Sequence, residues 1–86
     1  MSQVEQQVTE LVSREMLSDE PGVVLTGDTP LIADDIIDSL GIIMLVDLLQ
    51  DQFEVAIEPE DVVVENFETI GAITKMVEAK MASRAT

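Results

Sequence analysis

Val4, Val8, Leu11 and Val12, with Glu15 completing the register, fall at i, i+4, i+7, i+8 and i+11, the spacing of one face of an α-helix. A first amphipathic helix is therefore expected from about Ser2 to Leu17, with Ser2 and Glu5 as a capping-box pair and Ser18-Asp19-Glu20-Pro21-Gly22 as its stop. A second helix is expected from Ser39 to Phe53. Ser39 is its candidate N-cap, and Asp38 suits the positive end of the helix dipole. Pro59 in Glu58-Pro59-Glu60-Asp61 opens a short helix, and Ile70, Ile73, Val77 and Met81 share one face of a last helix that begins at Thr69 and frays beyond Ala82. The expected architecture is all-α: three main helices, one short one, and a long first connection from about Ser18 to Asp38. That connection carries Pro21, Gly22, Gly27 and Pro30. A loop of this length in a small domain is either functional or packed down, and Leu25, Leu31, Ile32, Ile36 and Ile37 are available to pin it.

The second helix is apolar on more than one side. At 100° per residue, Ile42, Leu45, Val46, Leu49 and Phe53 cluster on an arc that must face the core. The opposite arc, following from Ser39, holds Leu40, Ile43, Met44, Asp47 and Asp51. Apolar side chains beside carboxylates at an open helix end have the composition of a protein-docking surface. The alternative is that the long loop or the short helix covers Leu40 and Ile43.

Composition narrows the class. The 86 residues fit one domain, 1–86, with an ordered core of about 3–82. Apolar residues make up 47% of the chain, yet only Phe53 and Phe67 are aromatic, so the core is aliphatic and an aromatic-lined cleft is not expected. With no Cys there is neither a disulfide nor a thiolate metal site. Eighteen acids against Arg14, Lys75, Lys80 and Arg84 give a net charge of −14. That field repels nucleic acid and anionic membranes, steers basic protein surfaces inward, and favours a monomer. The N-terminal residues lack the pattern of a signal peptide, and no apolar run approaches the ~20 residues of a bilayer span, so a soluble cytoplasmic protein is expected.

Catalysis is poorly supplied. The chain has no His, the usual general base and metal ligand. Ser2, Ser13 and Ser18 have no evident base. The Asp34-Asp35 pair lies in a loop and reads as solvated or capping, not as acid/base machinery. The four glycines are scattered and make no phosphate loop, and no window satisfies the alternating-oxygen pattern of a calcium loop. A non-catalytic protein without a metal site is expected.

The segment Ile37-Asp38-Ser39-Leu40, followed by an apolar helix ending at Phe53, resembles the acyl carrier protein family, which includes peptidyl carrier proteins. The resemblance runs from the first helix through Asn66-Phe67-Glu68-Thr69-Ile70. It implies that Ser39 is the attachment point of 4′-phosphopantetheine, that Asp38 is the family's adjacent acid, and that Leu40, Ile43, Met44, Asp47 and Asp51 form the docking face. A phosphopantetheinyl transferase using coenzyme A and Mg²⁺ would join the arm to the Ser39 hydroxyl through a phosphodiester. An acyl or aminoacyl ligase and downstream synthase enzymes of fatty acid, polyketide or nonribosomal peptide type would be further partners. Members serving fatty acid synthesis usually carry acids at the positions of Gly41 and Met44; the neutral pair here implies a more apolar docking face, more similar to free-standing carriers of specialised pathways. The competing reading is an unmodified acidic adaptor that binds basic protein surfaces through the same helix. Only the carrier depends on the hydroxyl of Ser39.

Overall fold

The computed structural model describes residues 3–16 and 25–85, the last two by their backbone only. The α-helices in chain order are α1 (Gln3–Met16), α2 (Ser39–Phe53), α3 (Val64–Phe67) and α4 (Ile70–Ala85), with a 3₁₀ turn at Pro59–Asp61 ahead of α3. The architecture is the expected all-α one, and α2 has the expected bounds. The proposed cap of α1 at Ser2 and its stop at residues 18–22 lie outside the described residues. Thr69 caps α4, its Oγ1 accepting from the Ala72 amide at 3.0 Å. This last helix is continuous through Ala85, longer than expected, as suits a tail containing the strong helix former alanine.

The expected single short helix is instead two pieces. Asp61 closes the first: its Oδ2 accepts from the Glu58 amide at 2.9 Å, while its carbonyl accepts from Asn66 Nδ2 at 2.7 Å. The chain then leaves helical geometry at Val62 (φ −86°, ψ 74°) and Val63 (φ −127°, ψ 155°) before α3 begins. Val62 is the centre of a tight turn, the Val63 amide donating to the Asp61 carbonyl at 3.0 Å, and Val63, stiff at χ1, suits its extended angles better than a helix interior.

One core joins the four α-helices, and it is largely aliphatic but takes in both phenylalanines, correcting the expectation of a purely aliphatic interior. Val8, Leu11 and Val12 enter it from α1, Leu45, Leu49 and Phe53 from α2, Phe67 from α3, and Ile70, Ile73, Met76 and Val77 from α4. Val55 and Ile57 add to it from the connection after α2. α1 packs chiefly against α4, as does α3.

The described part of the long loop, residues 25–38, is a built element. Pro30 to Asp34 makes one helical turn, with the Asp34 amide donating to the Pro30 carbonyl at 2.9 Å. Asp35 is left-handed (φ 57°). The Leu31 carbonyl accepts from the Ile36 amide at 2.8 Å and the Ile32 carbonyl from the Asp35 amide at 3.1 Å, which is the pairing of a Schellman stop. Leu31 and Ile37 are fully or almost fully buried, and Leu25, Ile32 and Ile36 pack against the same core. Truncating a residue buried like Leu31 to alanine costs about 2–5 kcal/mol. Two backbone bonds tie the loop to the α3–α4 junction: Leu31 amide to Glu68 carbonyl at 2.8 Å, and Gly71 amide to Gly27 carbonyl at 3.0 Å. The second contact is close: a Cβ on Gly71 would stand 3.2 Å from the Gly27 carbonyl oxygen, which would have to give by a few tenths of an ångström.

Two polar features stand out. Thr74 is 5% exposed, and its hydroxyl has no hydrogen-bond partner. Across the molecule, Lys80 of α4 reaches Asp61 Oδ2. The hydrogen bond from Lys80, with that from the Glu58 amide, holds the Asp61 carboxyl below its ordinary value against an opposing effect of desolvation. The hydrogen bond to Asp61 likewise raises Lys80, aided by the charges of Asp61, Glu58 and Glu60 and opposed by desolvation.

Thr74→Val, which exchanges the orphaned hydroxyl for a methyl of similar shape, is expected to stabilise the protein by about 1–2 kcal/mol. Urea unfolding would show this as a higher midpoint with an unchanged slope; a lower midpoint would mean that the hydroxyl bonds the α4 backbone. The Lys80–Asp61 pair predicts a pH window. A depressed carboxyl stabilises the fold above the usual carboxylate pKa of about 3.9, and this is lost as pH falls through its lower folded value. The raised amine contributes below about pH 10.4 and loses that contribution only as pH rises through its higher folded value. Lys80→Gln should therefore melt below Lys75→Gln at neutral pH, with the gap closing in acid below about pH 4. A gap that persisted there would assign it to packing.

Candidate attachment site and docking face

Burial of Ile37 holds the end of the loop against the core, and the next two residues then set the start of α2. Asp38, not Ser39, is the N-cap. It is extended (φ −117°, ψ −171°), and its Oδ1 accepts from the Gly41 amide at 2.8 Å. The first intrahelical bond runs from the Ile42 amide to the Asp38 carbonyl at 2.8 Å. The expectation for Ser39 is corrected on this point: a carboxylate oxygen meets the third amide of the helix one residue before the serine can. Ser39 becomes the first helical residue, exposed, with its hydroxyl relieved of any capping duty. The amides of Ser39 and Leu40 remain at the open, electropositive end of the helix, where no upstream intrahelical carbonyl reaches them.

This arrangement fits a phosphodiester at Ser39. The hydroxyl is solvent-facing, and the helix end favours an anion beside it. Among the described residues no lysine or arginine side chain is bonded to Ser39 or Asp38.

Beyond Ser39, the two arcs of α2 separate as its periodicity implies. Leu45, Leu49 and Phe53 are buried, with Ile42 and Val46 partly so. Leu40, Ile43 and Met44 are 66%, 64% and 47% exposed, and Asp47 and Asp51 are exposed beside them. Neither the described part of the loop nor α3 covers Leu40 and Ile43. Gly41 departs from expectation. It is buried, and a Cβ there would stand 3.3 Å from Asp38 Oδ1 and 3.5 Å from both Ile37 Cβ and Met16 Sδ. Its neutrality therefore belongs to the contact with α1 and the loop, and of the two neutral positions only Met44 lies on the exposed face. Sequence reasoning passed over Val62, Val63 and Val64, all exposed. Their signal was a run of three apolar residues directly after Glu58-Pro59-Glu60-Asp61, where a turn cannot aim all of them inward.

Because Asp38 carries the cap, Asp38→Ala is expected to cost about 1 kcal/mol of stability. Ser39→Ala should stay within about 0.5 kcal/mol of the parent. Chemical denaturation of the two variants side by side checks this; the reverse order would return the cap to Ser39.

Comparison with curated proteins finds no match. A family model described as the phosphopantetheine attachment site matches residues 6–77, which run from the first turn of α1 to the middle of α4 and include Ser39. Members of that family carry 4′-phosphopantetheine bound covalently to a serine and are themselves non-catalytic substrates of other enzymes. With the match covering most of its length and with the helical fold in agreement, the chain belongs to the phosphopantetheine attachment site family.

Proposed function

We propose that this protein is a carrier in which Ser39 bears the 4′-phosphopantetheine arm and α2 presents acyl or aminoacyl cargo to the enzymes of a fatty acid, polyketide or nonribosomal peptide type pathway. The observation that carries this reading is the exposed hydroxyl of Ser39 at the first position of α2, since a serine occupied in capping would have to surrender that bond on modification. When bound, the arm supplies the thiol that the chain lacks, on which cargo is held as a thioester. The chain's own residues do the rest. Asp38 Oδ1 keeps the helix start rigid by holding the Gly41 amide. The open amides at the helix end lie beside the position of the phosphodiester and favour its charge. Leu40, Ile43 and Met44 offer an apolar contact, and Asp47 and Asp51 offer charges that a basic partner surface can match.

Docking by this face requires a partner with an apolar centre and cationic edges. Its affinity would fall with added salt through the acidic edge and would keep the apolar contribution of Leu40, Ile43 and Met44. Loading by an acyl or aminoacyl ligase, and transfer to downstream synthases, belong to the same reading.

Incubation with coenzyme A, Mg²⁺ and a broad-specificity phosphopantetheinyl transferase should add one phosphopantetheine to the parent and none to Ser39→Ala, as read by intact mass. No gain on the parent with several transferases, on protein shown to be folded, would favour the unmodified adaptor. A gain on Ser39→Ala would move the site to another hydroxyl.

A further inference from the structure

Behind the exposed serine, the start of α2 rests on the last side chain of α1. Gly41 is buried, and Met16 Sδ lies 3.5 Å from the point that a Cβ on Gly41 would occupy. Ile37 Cβ approaches the same point to 3.5 Å and Asp38 Oδ1 to 3.3 Å. A thioether, a buried loop residue and the capping carboxylate thus converge on one glycine, whose amide is the donor that fixes the cap. Met16 itself is only partly buried, packed against the core without being sealed by it.

The contact is a narrow one, because α1 packs mainly against α4 and meets α2 much less. A thioether suits such a place, being flexible, polarisable and able to fill an irregular gap. Leucine would supply a similar apolar contact. What methionine adds is a sulfur that can be oxidised. Of the other described methionines, Met76 is buried in the core, Met81 is partly buried on α4, and Met44 is exposed on the docking face. Met16 is the one whose sulfur braces the cap.

Oxidation changes the chemistry of this contact. A sulfur lone pair attacks one oxygen of hydrogen peroxide, the O–O bond breaks and an S–O bond forms. The proton on the transferred oxygen passes to the departing hydroxide, which leaves as water. The sulfur loses two electrons and the peroxide gains them, and the product is a polar sulfoxide. Beside Gly41 that new acceptor finds no free donor, since the amide there already bonds Asp38 Oδ1. The polar atom converging on the same point is that carboxylate oxygen, itself an acceptor. A buried acceptor left without a donor is costly. The sulfoxide must turn out to solvent or take the Gly41 amide from Asp38, and either course loosens the start of α2.

We infer that Met16 is a redox-sensitive brace of the attachment site: its thioether positions the start of α2 for modification of Ser39, and oxidation by a peroxide slows that modification until the sulfoxide is reduced. The effect on modification rests on the carrier reading above; the brace itself does not.

The test uses the full chain and Met16→Leu, each untreated or treated with hydrogen peroxide, with peptide masses locating the added oxygen. A purified broad-specificity phosphopantetheinyl transferase with coenzyme A and Mg²⁺ then gives kcat and KM for each sample. Untreated Met16→Leu should stay within about twofold of the parent. Peroxide should lower kcat of the parent about fivefold more than that of Met16→Leu. The two methionine sulfoxide reductases, one for each epimer, should recover the loss. Oxidation of Met44 occurs in both proteins and, on the docking face, moves KM alike in both. Met16→Gln, polar without any oxidant, should lower kcat untreated and resist repair. Hydrogen exchange at the Gly41 amide should quicken on oxidation of the parent and not of Met16→Leu. Equal losses in the two proteins, a Met16 that stays unoxidised while Met44 is converted, or a parent that unfolds as a whole would overturn the brace. In each case the untreated parent's mass gain would leave the carrier role standing. Quickened exchange at Gly41 in a parent that no transferase modifies would do the reverse, and neither result would overturn both.

Discussion

A single hydrogen bond, from the Gly41 amide to Asp38 Oδ1 at 2.8 Å, sets the register of α2. It makes Ser39 the first helical residue, and every later side chain of α2 follows at 100° steps. Leu45, Leu49 and Phe53 then turn inward while Leu40, Ile43 and Met44 turn out. A start displaced by one residue would give the serine the capping role that Asp38 now fills. The chemistry available at Ser39 is a consequence of its neighbour's carboxylate being the better placed acceptor.

That carboxylate is positioned in turn by the loop before it. The turn at residues 30–37 would be a weak element alone, but it buries Leu31 and Ile37 in the common core. Its own carbonyls are satisfied by the Schellman pairing around Asp35. The backbone bonds to Glu68 and Gly71 join it to the α3–α4 junction, so Ser39 is referenced to that junction as well as to its own helix. Gly71 eases this approach, since a Cβ there would press on the Gly27 carbonyl oxygen at 3.2 Å.

Charge gives the surface its direction. Of the few cations, Lys80 is committed to Asp61, and Arg14 makes an exposed pair with Glu15 at 3.1 Å, a kind of contact worth little to stability. Acids outnumber basic residues 18 to 4, and Asp47 and Asp51 on α2 and Glu58 and Glu60 at the 3₁₀ turn are exposed. Mutual repulsion of this kind costs stability. A largely aliphatic core that draws on every helix and on the loop offsets it.

The helices, the bounds of α2 and the two arcs of that helix were legible in the sequence, because each follows from a local period of apolar residues and from capping chemistry within a few positions. The Asp-Ser-Leu triplet at a helix start made the candidate serine legible in the same way. Which of Asp38 and Ser39 caps the helix was not, since both can accept the amide and the choice depends on the angle at which the buried Ile37 delivers the chain. The break at Val62 and Val63 was hidden because Pro59 and the acids after it are good helix starters, and only the side chain and carbonyl of Asp61 end that turn. Gly41 reads as an exposed position of a docking face until Met16 and Ile37 are packed over it. The pairing of Lys80 with Asp61, the stranded hydroxyl of Thr74 and the exposure of Val62, Val63 and Val64 likewise arise from residues distant in sequence being brought together or left apart. Local spacing determines which faces a helix has; what each face meets is decided by the packing of the other elements around it.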